Sequence, residues 1–260
     1  KYKIKMMFDV KVPMRDGIEL STDIYMPEGD SPNPTILIRT PYHNNNEAAV
    51  EDCMYFASRG YAVAAQDVRG RWDSPGDWYP FRNEAEDGYD TQEWLGEQPW
   101  CDGNVGTIGG SYSGATQYRA ALSRPPHLRA TFVRESSADY NREWVYRDGA
   151  FEHGFSTYWA HTVTESNLKH LVDGVELERQ KKELRQVGEA MEDWLGKLPV
   201  YPCTFLEGLS DWHNEWLDNP LPGPYWDELN IEPYHDQVET PMYHQGAWFD
   251  IFLAGTLKNY

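Results

Sequence analysis

Residues 107–122, TIGGSYSGATQYRAAL, end a short apolar run in two glycines and a serine and pass at once into a small-residue helical pattern. A serine in that position can act as a nucleophile if a base takes its proton and hydrogen-bond donors meet the oxyanion formed on attack. Such a serine sits on a sharp, strained strand-to-helix turn, where bulky neighbours would clash. Gly109 and Gly110 precede Ser111, and Ser113 and Gly114 follow it. The strict G-x-S-x-G spacing is broken, because Ser113 stands at the position of the second glycine. Glycines beside a serine also mark ordinary turns, so the rest of the chain must separate the two readings.

The elements that would position this serine follow from hydrophobic patterning. IKMMFDVKVPMRDGIELSTDIYMPEG alternates apolar and polar residues about Arg15-Asp16-Gly17, which predicts an antiparallel hairpin. Continuous apolar runs follow, as in strands buried on both faces: PTILIRT (34–40), YAVAAQD (61–67), NVGTIGG before Ser111 and LRATFVRE after its helix. Helical patterns over 47–58 and 84–95 lie between them. Strands alternating with helices predict an α/β fold with a mostly parallel sheet, right-handed crossovers and functional residues at the carboxyl ends of the strands. From about residue 141 to residue 232 strand-like runs vanish, and Trp, Tyr, Glu and Leu recur at loosely helical spacing over a stretch too long for a loop. Residues 1–140 and 233–260 are therefore expected to form the core, and 141–232 an inserted helical cap over the strand ends. The strand pattern resumes in TPMYHQGAWFD (240–250).

Four motifs fall in order along these strands: RTPY (39–42), QDVRGRWDSPGDW (66–78), WCDGNVGTIGGSYSG (100–114) and GAWFD (246–250). In these motifs, from about residue 8 to residue 260, the chain resembles the cocaine esterase and X-Pro dipeptidyl-peptidase family of serine hydrolases, which includes α-amino-acid ester hydrolases and glutaryl acylases. The resemblance implies the α/β-hydrolase fold and an acyl-enzyme mechanism with Ser111 as nucleophile. It implies Asp250 as the acid that fixes the histidine tautomer, and the Tyr42 hydroxyl and Tyr112 backbone N–H as oxyanion donors. Asp67, Arg69 and Gly70 also fit the family pattern; they are expected to be structural, an ion pair and tight turn shaping the wall beside the oxyanion hole.

Triad order in this fold is serine, acid, histidine, so the base should follow Asp250. The residues after it, IFLAGTLKNY, contain no histidine, and all eight histidines (His43, His127, His153, His161, His170, His213, His235 and His244) come earlier. His235 and His244 are expected near the start of the last strand, on the wrong end of the sheet. His153, His161 and His213 fall in the cap and read either as pocket lining or as surface residues, with a surface position expected for each. None is assigned as the base. Relatives in the family continue into a final strand, a histidine loop and a jelly-roll domain, so the chain is expected to be an amino-terminal fragment, truncated before the last strand and histidine loop.

Amino-acid ester hydrolases of the family hold the substrate ammonium with a carboxylate cluster, part of which follows the catalytic acid. Here Ile251 and Phe252 follow Asp250, and only Glu143 and Asp148 remain near the other cluster position, which argues against recognition of an α-amino group. Trp144, Phe151, Phe155 and Trp159, with Tyr158, read either as cap core or as an apolar acyl pocket. The expected activity is carboxylic ester hydrolysis, with amide, X-Pro peptide or β-lactam side-chain hydrolysis second, and an inert scaffold lacking its base third.

Composition limits the partners. With 23 Lys+Arg against 42 Asp+Glu, the net charge of −19 is spread along the chain and would repel phosphate backbones, so no nucleic-acid partner is expected. No run approaches the roughly eighteen apolar residues of a membrane span. Cys53, Cys101 and Cys203 are widely separated and form neither a disulfide framework nor a CxxC site. No metal site, phosphate loop or dinucleotide fingerprint appears, so no cofactor and no metal is expected. The expected partner is a small-molecule ester or amide, and an oligomer of the full-length protein stays open. The chain opens at Lys1 with neither Met nor a secretory pattern; its true start is expected to be missing, and no compartment is assigned.

Overall fold

The computed structural model describes residues 1–29 and 31–260. Strands β1 (Ile4–Pro13) and β2 (Glu19–Pro27) pair antiparallel as the alternating pattern predicts, about a turn in which Met14 N–H donates to Ile18 O at 2.7 Å. The apolar runs then form β3 (Asn33–Thr40), β4 (Ala62–Asp67), β5 (Cys101–Gly110) and β6 (Leu128–Arg134). Helices α1 (Glu47–Ala57), α2 (Glu84–Gly96) and α3 (Tyr112–Leu122) make the crossovers between them.

The chain divides into two units, Lys1–Ala138 with Leu229–Tyr260, and Asp139–Glu228. Ile231 N–H donates to Ala138 O at 3.1 Å, which ties together the points where the chain leaves and re-enters the first unit. The second unit is mainly helical: α4 (His153–Leu171), α5 (Gly174–Glu189), α6 (Met191–Leu195), α7 (Trp212–Asp218) and α8 (Pro224–Asp227). It also holds a two-stranded hairpin that the sequence pattern does not suggest, β7 (Tyr146–Arg147) with β8 (Ala150–Phe151). Its interior is aromatic, with Trp216 stacked on Trp159 at 6.0 Å and packed against Trp212 at 4.6 Å.

The chain returns to the first unit as β9 (Met242–Gln245) and ends in α9 (Leu253–Lys258). The seven-stranded sheet has the order β1-β2-β4-β3-β5-β6-β9, antiparallel from β1 to β4 and parallel from β4 to β9. β9 is shorter than the apolar pattern over 240–250 implies. Its partner β6 ends at Arg134 opposite Gln245, so later residues have no ladder to join and turn instead, with Asp250 N–H donating to Ala247 O at 3.0 Å. β4 explains why its run was uninterrupted: Ala62 and Ala64 pack with Leu37, Leu95 and Val105 on one face, and Val63 and Ala65 pack with Ile36, Ile38 and Cys53 on the other. The three cysteines are free and buried. Among the described residues, no helix is long and apolar enough to cross a membrane.

Candidate active site

Ser111 occupies the single residue between β5 and α3, at φ 54° and ψ −124°. A residue with a Cβ is rarely found there, and holding it costs about 1–3 kcal/mol, so the surroundings must enforce it. They do so through its backbone: its N–H donates to Arg134 O at 3.1 Å and Glu135 O at 3.2 Å, and its carbonyl accepts from Ser136 Oγ at 2.8 Å. The need for small residues falls on Gly109 and Gly114. A Cβ on Gly109 would lie 2.6 Å from Ser113 Cβ, and one on Gly114 would lie 2.5 Å from Ser136 Cβ. Gly109 thereby makes room for the serine that breaks the strict glycine spacing.

Tyr42 follows the end of β3, the parallel neighbour of β5. The carbonyl of Pro41 before it accepts from Arg71 Nε and Trp72 Nε1, both at 2.9 Å. Arg71 is fully buried, with its guanidinium 4.7 Å over the Trp78 ring, and burial pushes it down to about 10. The half-exposed Tyr42 ring meets the buried Tyr112 ring edge-on at 6.5 Å. Tyr112 opens α3, where N–H groups have no acceptor within the helix. A cavity of about 300 Å³ beside the elbow is lined by Tyr42, Asp52, Ile108, Gly110, Ser113 and Arg134 among others.

Asp250 lies beyond β9 at the same end of the sheet, since Gly110, Arg134 and Gln245 are in register across β5, β6 and β9. It is half-buried, and its Oδ1 accepts from Phe252 N–H at 2.7 Å. Ser111 and Asp250 thus follow parallel strands with β6 between them.

Residues 16–260 match the profile of the X-Pro dipeptidyl-peptidase (S15 family). The chain belongs to that family. It is 31% identical over 261 residues to cocaine esterase of Rhodococcus sp. (strain MB1 Bresler), covering 97% of this chain and 45% of the relative. Among solved structures, the aminopeptidase of a marine sediment Thaumarchaeota archaeon superimposes with a TM-score of 0.76 at 24% identity, over 100% of this chain and 45% of that one. A CocE/NonD family hydrolase of Staphylococcus aureus gives 0.75 at 22% identity, over 100% and 47%. The fold of this X-Pro dipeptidyl-peptidase family chain is that of the α/β hydrolases. The chain spans about half the length of the relatives it matches.

In this family member the QDVRG segment is wired differently from the expected Asp67–Arg69 ion pair. Asp67 accepts backbone N–H groups, from Asn44 at 2.7 Å and Asp73 at 3.3 Å, one on each oxygen. Arg69 turns instead to Asp87, at 2.6 and 3.0 Å, and to Asp16 at 2.6 Å. Among the described residues His43, Asp67 and Asp73 bring possible ligand atoms within 4.8 Å of one another. Both Asp67 oxygens are already engaged in holding this loop.

Burial pushes the Asp67 carboxyl from 3.8 up to about 7. The folded state therefore keeps a proton that the unfolded chain releases. Asp67's favourable contribution is complete below about pH 4 and is lost as pH rises through about 7, a change of at most about 4 kcal/mol. The thermal midpoint is expected to fall between pH 4 and pH 8, and to fall less in Asp67→Asn, as read by calorimetry across that range. An equal fall in the variant would assign the pH dependence to other groups.

The histidines have partners elsewhere. His244 lies within β9, and its Nδ1 shares a 3.0 Å hydrogen bond with the Tyr118 hydroxyl; His235 Nε2 shares one of 2.9 Å with Asn259 Oδ1. His161 and His213 are buried rather than at the surface of the helical unit. His161 Nε2 bonds Leu184 O at 2.7 Å, and His213 Nε2 meets Thr157 Oγ1 at 3.2 Å, with burial pushing His213 down to about 4. Among the aromatic residues considered for an acyl pocket, Trp144 is buried and packs against Phe155 at 6.3 Å, Phe151 packs against Tyr146 at 5.5 Å, and Trp159 joins the tryptophan cluster. Arg39, Arg71 and Glu84 escaped sequence reasoning. Arg39 opens the RTPY motif and Glu84 opens α2, and those positions were the available signal.

Proposed function

We propose that this chain carries the nucleophile, acid and oxyanion donors of a serine hydrolase that cleaves carboxylic esters through an acyl-enzyme. The observation that carries the reading is the strained backbone of Ser111 between β5 and α3. Strain of this kind persists at functional sites, where it presents a side chain that relaxed backbone would not. Ser111 Oγ attacks the ester carbonyl carbon, and the Tyr42 hydroxyl and Tyr112 N–H donate to the resulting oxyanion. The base takes the serine proton and returns it to the leaving alcohol; water then attacks the acyl-enzyme by the same route. Asp250 orients the base, which we assign to a histidine of the full-length protein outside residues 1–260. Family membership and the shared strand-end location of Ser111 and Asp250 support these roles. Ile251 and Phe252 after Asp250 favour an ester without a charged amine. The family description favours an X-Pro amide as the second reading.

One comparison tests both parts. The full-length protein and its Tyr42→Phe variant are assayed on p-nitrophenyl acetate and on glycyl-prolyl p-nitroanilide. Wild type is expected to show the higher kcat/KM on the ester, and Tyr42→Phe to lower kcat roughly 10²–10³-fold with an unchanged thermal midpoint. A higher kcat/KM on the anilide replaces ester by amide as the substrate. Unchanged turnover in Tyr42→Phe removes Tyr42 from the oxyanion site.

A further inference from the structure

Behind the elbow, the Tyr112 side chain ends in a set of polar contacts, most of them buried. Its hydroxyl donates to Glu84 Oε1 at 2.8 Å and accepts from Phe81 N–H at 2.9 Å and Trp78 Nε1 at 3.2 Å. The ring stacks on Phe81 at 4.9 Å. Burial holds the phenol far above its ordinary value, so it remains a neutral donor. Glu84, 2% exposed, accepts from Arg39 Nη1 on its other oxygen at 2.7 Å. Burial pushes the Glu84 carboxyl up, and Arg39 and the Tyr112 hydroxyl oppose that push. Arg39 Nε donates to Gln66 Oε1 at 2.8 Å, and Gln66 Nε2 donates to Thr22 Oγ1 at 3.0 Å. The Tyr112 ring is thereby connected through α2 to β3, β4 and β2.

Filling space does not call for this arrangement. A buried ion pair is often no more stabilising than apolar side chains of the same volume, so its use here points to fixing a position. The residue it fixes is the first of α3, and tilting that first turn would have to drag a ring held at its tip and on its face. We propose that Glu84 and Arg39 are positioning residues for the oxyanion site, fixing the backbone N–H of Tyr112 through the Tyr112 hydroxyl. The inference rests on the reading above, in which that N–H is an oxyanion donor. A donor held in place needs no reorganisation as charge develops. Misplacing a catalytic group by about 1 Å can cost about 10²-fold.

The test uses the full-length protein with p-nitrophenyl acetate as substrate, and compares Tyr112→Phe, Glu84→Gln and the double variant with Ser111→Ala. Active sites are counted by labelling to completion with a fluorophosphonate, and phenylboronic acid, whose serine adduct is tetrahedral, probes the oxyanion site. Tyr112→Phe is expected to lower kcat per labelled site roughly 10–100-fold at unchanged KM. Phenylboronic acid should weaken in proportion. Because both residues act through one hydrogen bond, the double variant should fall no further than the worse single one. Should Glu84→Gln not fold, Tyr112→Phe keeps the Arg39–Glu84 pair and decides alone. A kcat per labelled site equal to wild type, with Ser111→Ala inert, overturns the positioning role and leaves the serine hydrolase standing. Turnover retained in Ser111→Ala overturns both.

Discussion

Ser111→Ala in the full-length protein is expected to lower kcat for p-nitrophenyl acetate by about 10⁶-fold. On the proposed mechanism no acyl-enzyme forms without the hydroxyl, and the remaining rate would come from water attacking a substrate that the oxyanion donors still polarise. That residue of catalysis is about 10³–10⁴ over the uncatalysed reaction. The fold should be indifferent to the change. The hydrogen bonds that hold the elbow belong to the Ser111 backbone, whose N–H reaches Arg134 and Glu135 and whose carbonyl receives Ser136 Oγ. Alanine suffers the same backbone strain as serine at φ 54°, so the thermal midpoint stays where it was. Steady-state kinetics beside a melting curve checks both statements. A variant that keeps more than a few per cent of wild-type kcat would remove Ser111 from the chemistry.

The 260-residue chain made by itself is expected to hydrolyse the same ester no faster than its own Ser111→Ala variant. A serine hydroxyl is a weak nucleophile at neutral pH unless a base accepts its proton. Among the described residues the Ser111 hydroxyl forms no hydrogen bond, to histidine or to any other group. His127 Nδ1 is bonded to Glu93 at 2.9 Å, His43 is stacked on Trp72 at 4.5 Å, and His153 Nδ1 shares Thr157 with His213. The edge strand β9 leaves Tyr243 largely exposed, so the isolated chain should also aggregate more readily than the full-length protein. Purified chain and full-length protein are compared on p-nitrophenyl acetate, each with its serine-to-alanine control. Turnover near the full-length rate that disappears with Ser111 would make one of the eight histidines the base, and the assignment of the base outside residues 1–260 would fall.

The centre of the sheet was legible because β3 and β4 are buried along nearly their whole length. Ala62 to Ala65 are apolar at every position because both faces of β4 are covered, and a run of that kind needs no partner to be recognised. The elbow was legible for a local reason too: its steric demands fall on neighbours within a few residues of Ser111. What stayed hidden depends on contacts across the chain. Tyr112 and Glu84 are 28 positions apart, and Arg39 and Glu84 are 45 apart. Nothing in the spacing of either pair marks it. Asp67 and Arg69, which fit the family pattern two positions apart, are expected to pair, but backbone N–H groups occupy both Asp67 oxygens. A surface position is expected for His161 and His213, yet one hydrogen bond to each ring admits it to the interior. β9 is shorter than its apolar run because such a run shows where a strand could form and not where its neighbour stops.

The hydrogen bond from Ile231 to Ala138 has a consequence for descent rather than for chemistry. To the unit that carries Ser111 and Asp250, everything from Asp139 to Glu228 is one excursion that departs and lands at neighbouring points. The closure cost of such an excursion rises only with the logarithm of its length, about 0.6 kcal/mol for each doubling. On that scale a change in the length of the excursion adds little to the cost of closing it. Length variation between Asp139 and Glu228 is therefore expected to be cheap for the unit that carries Ser111 and Asp250.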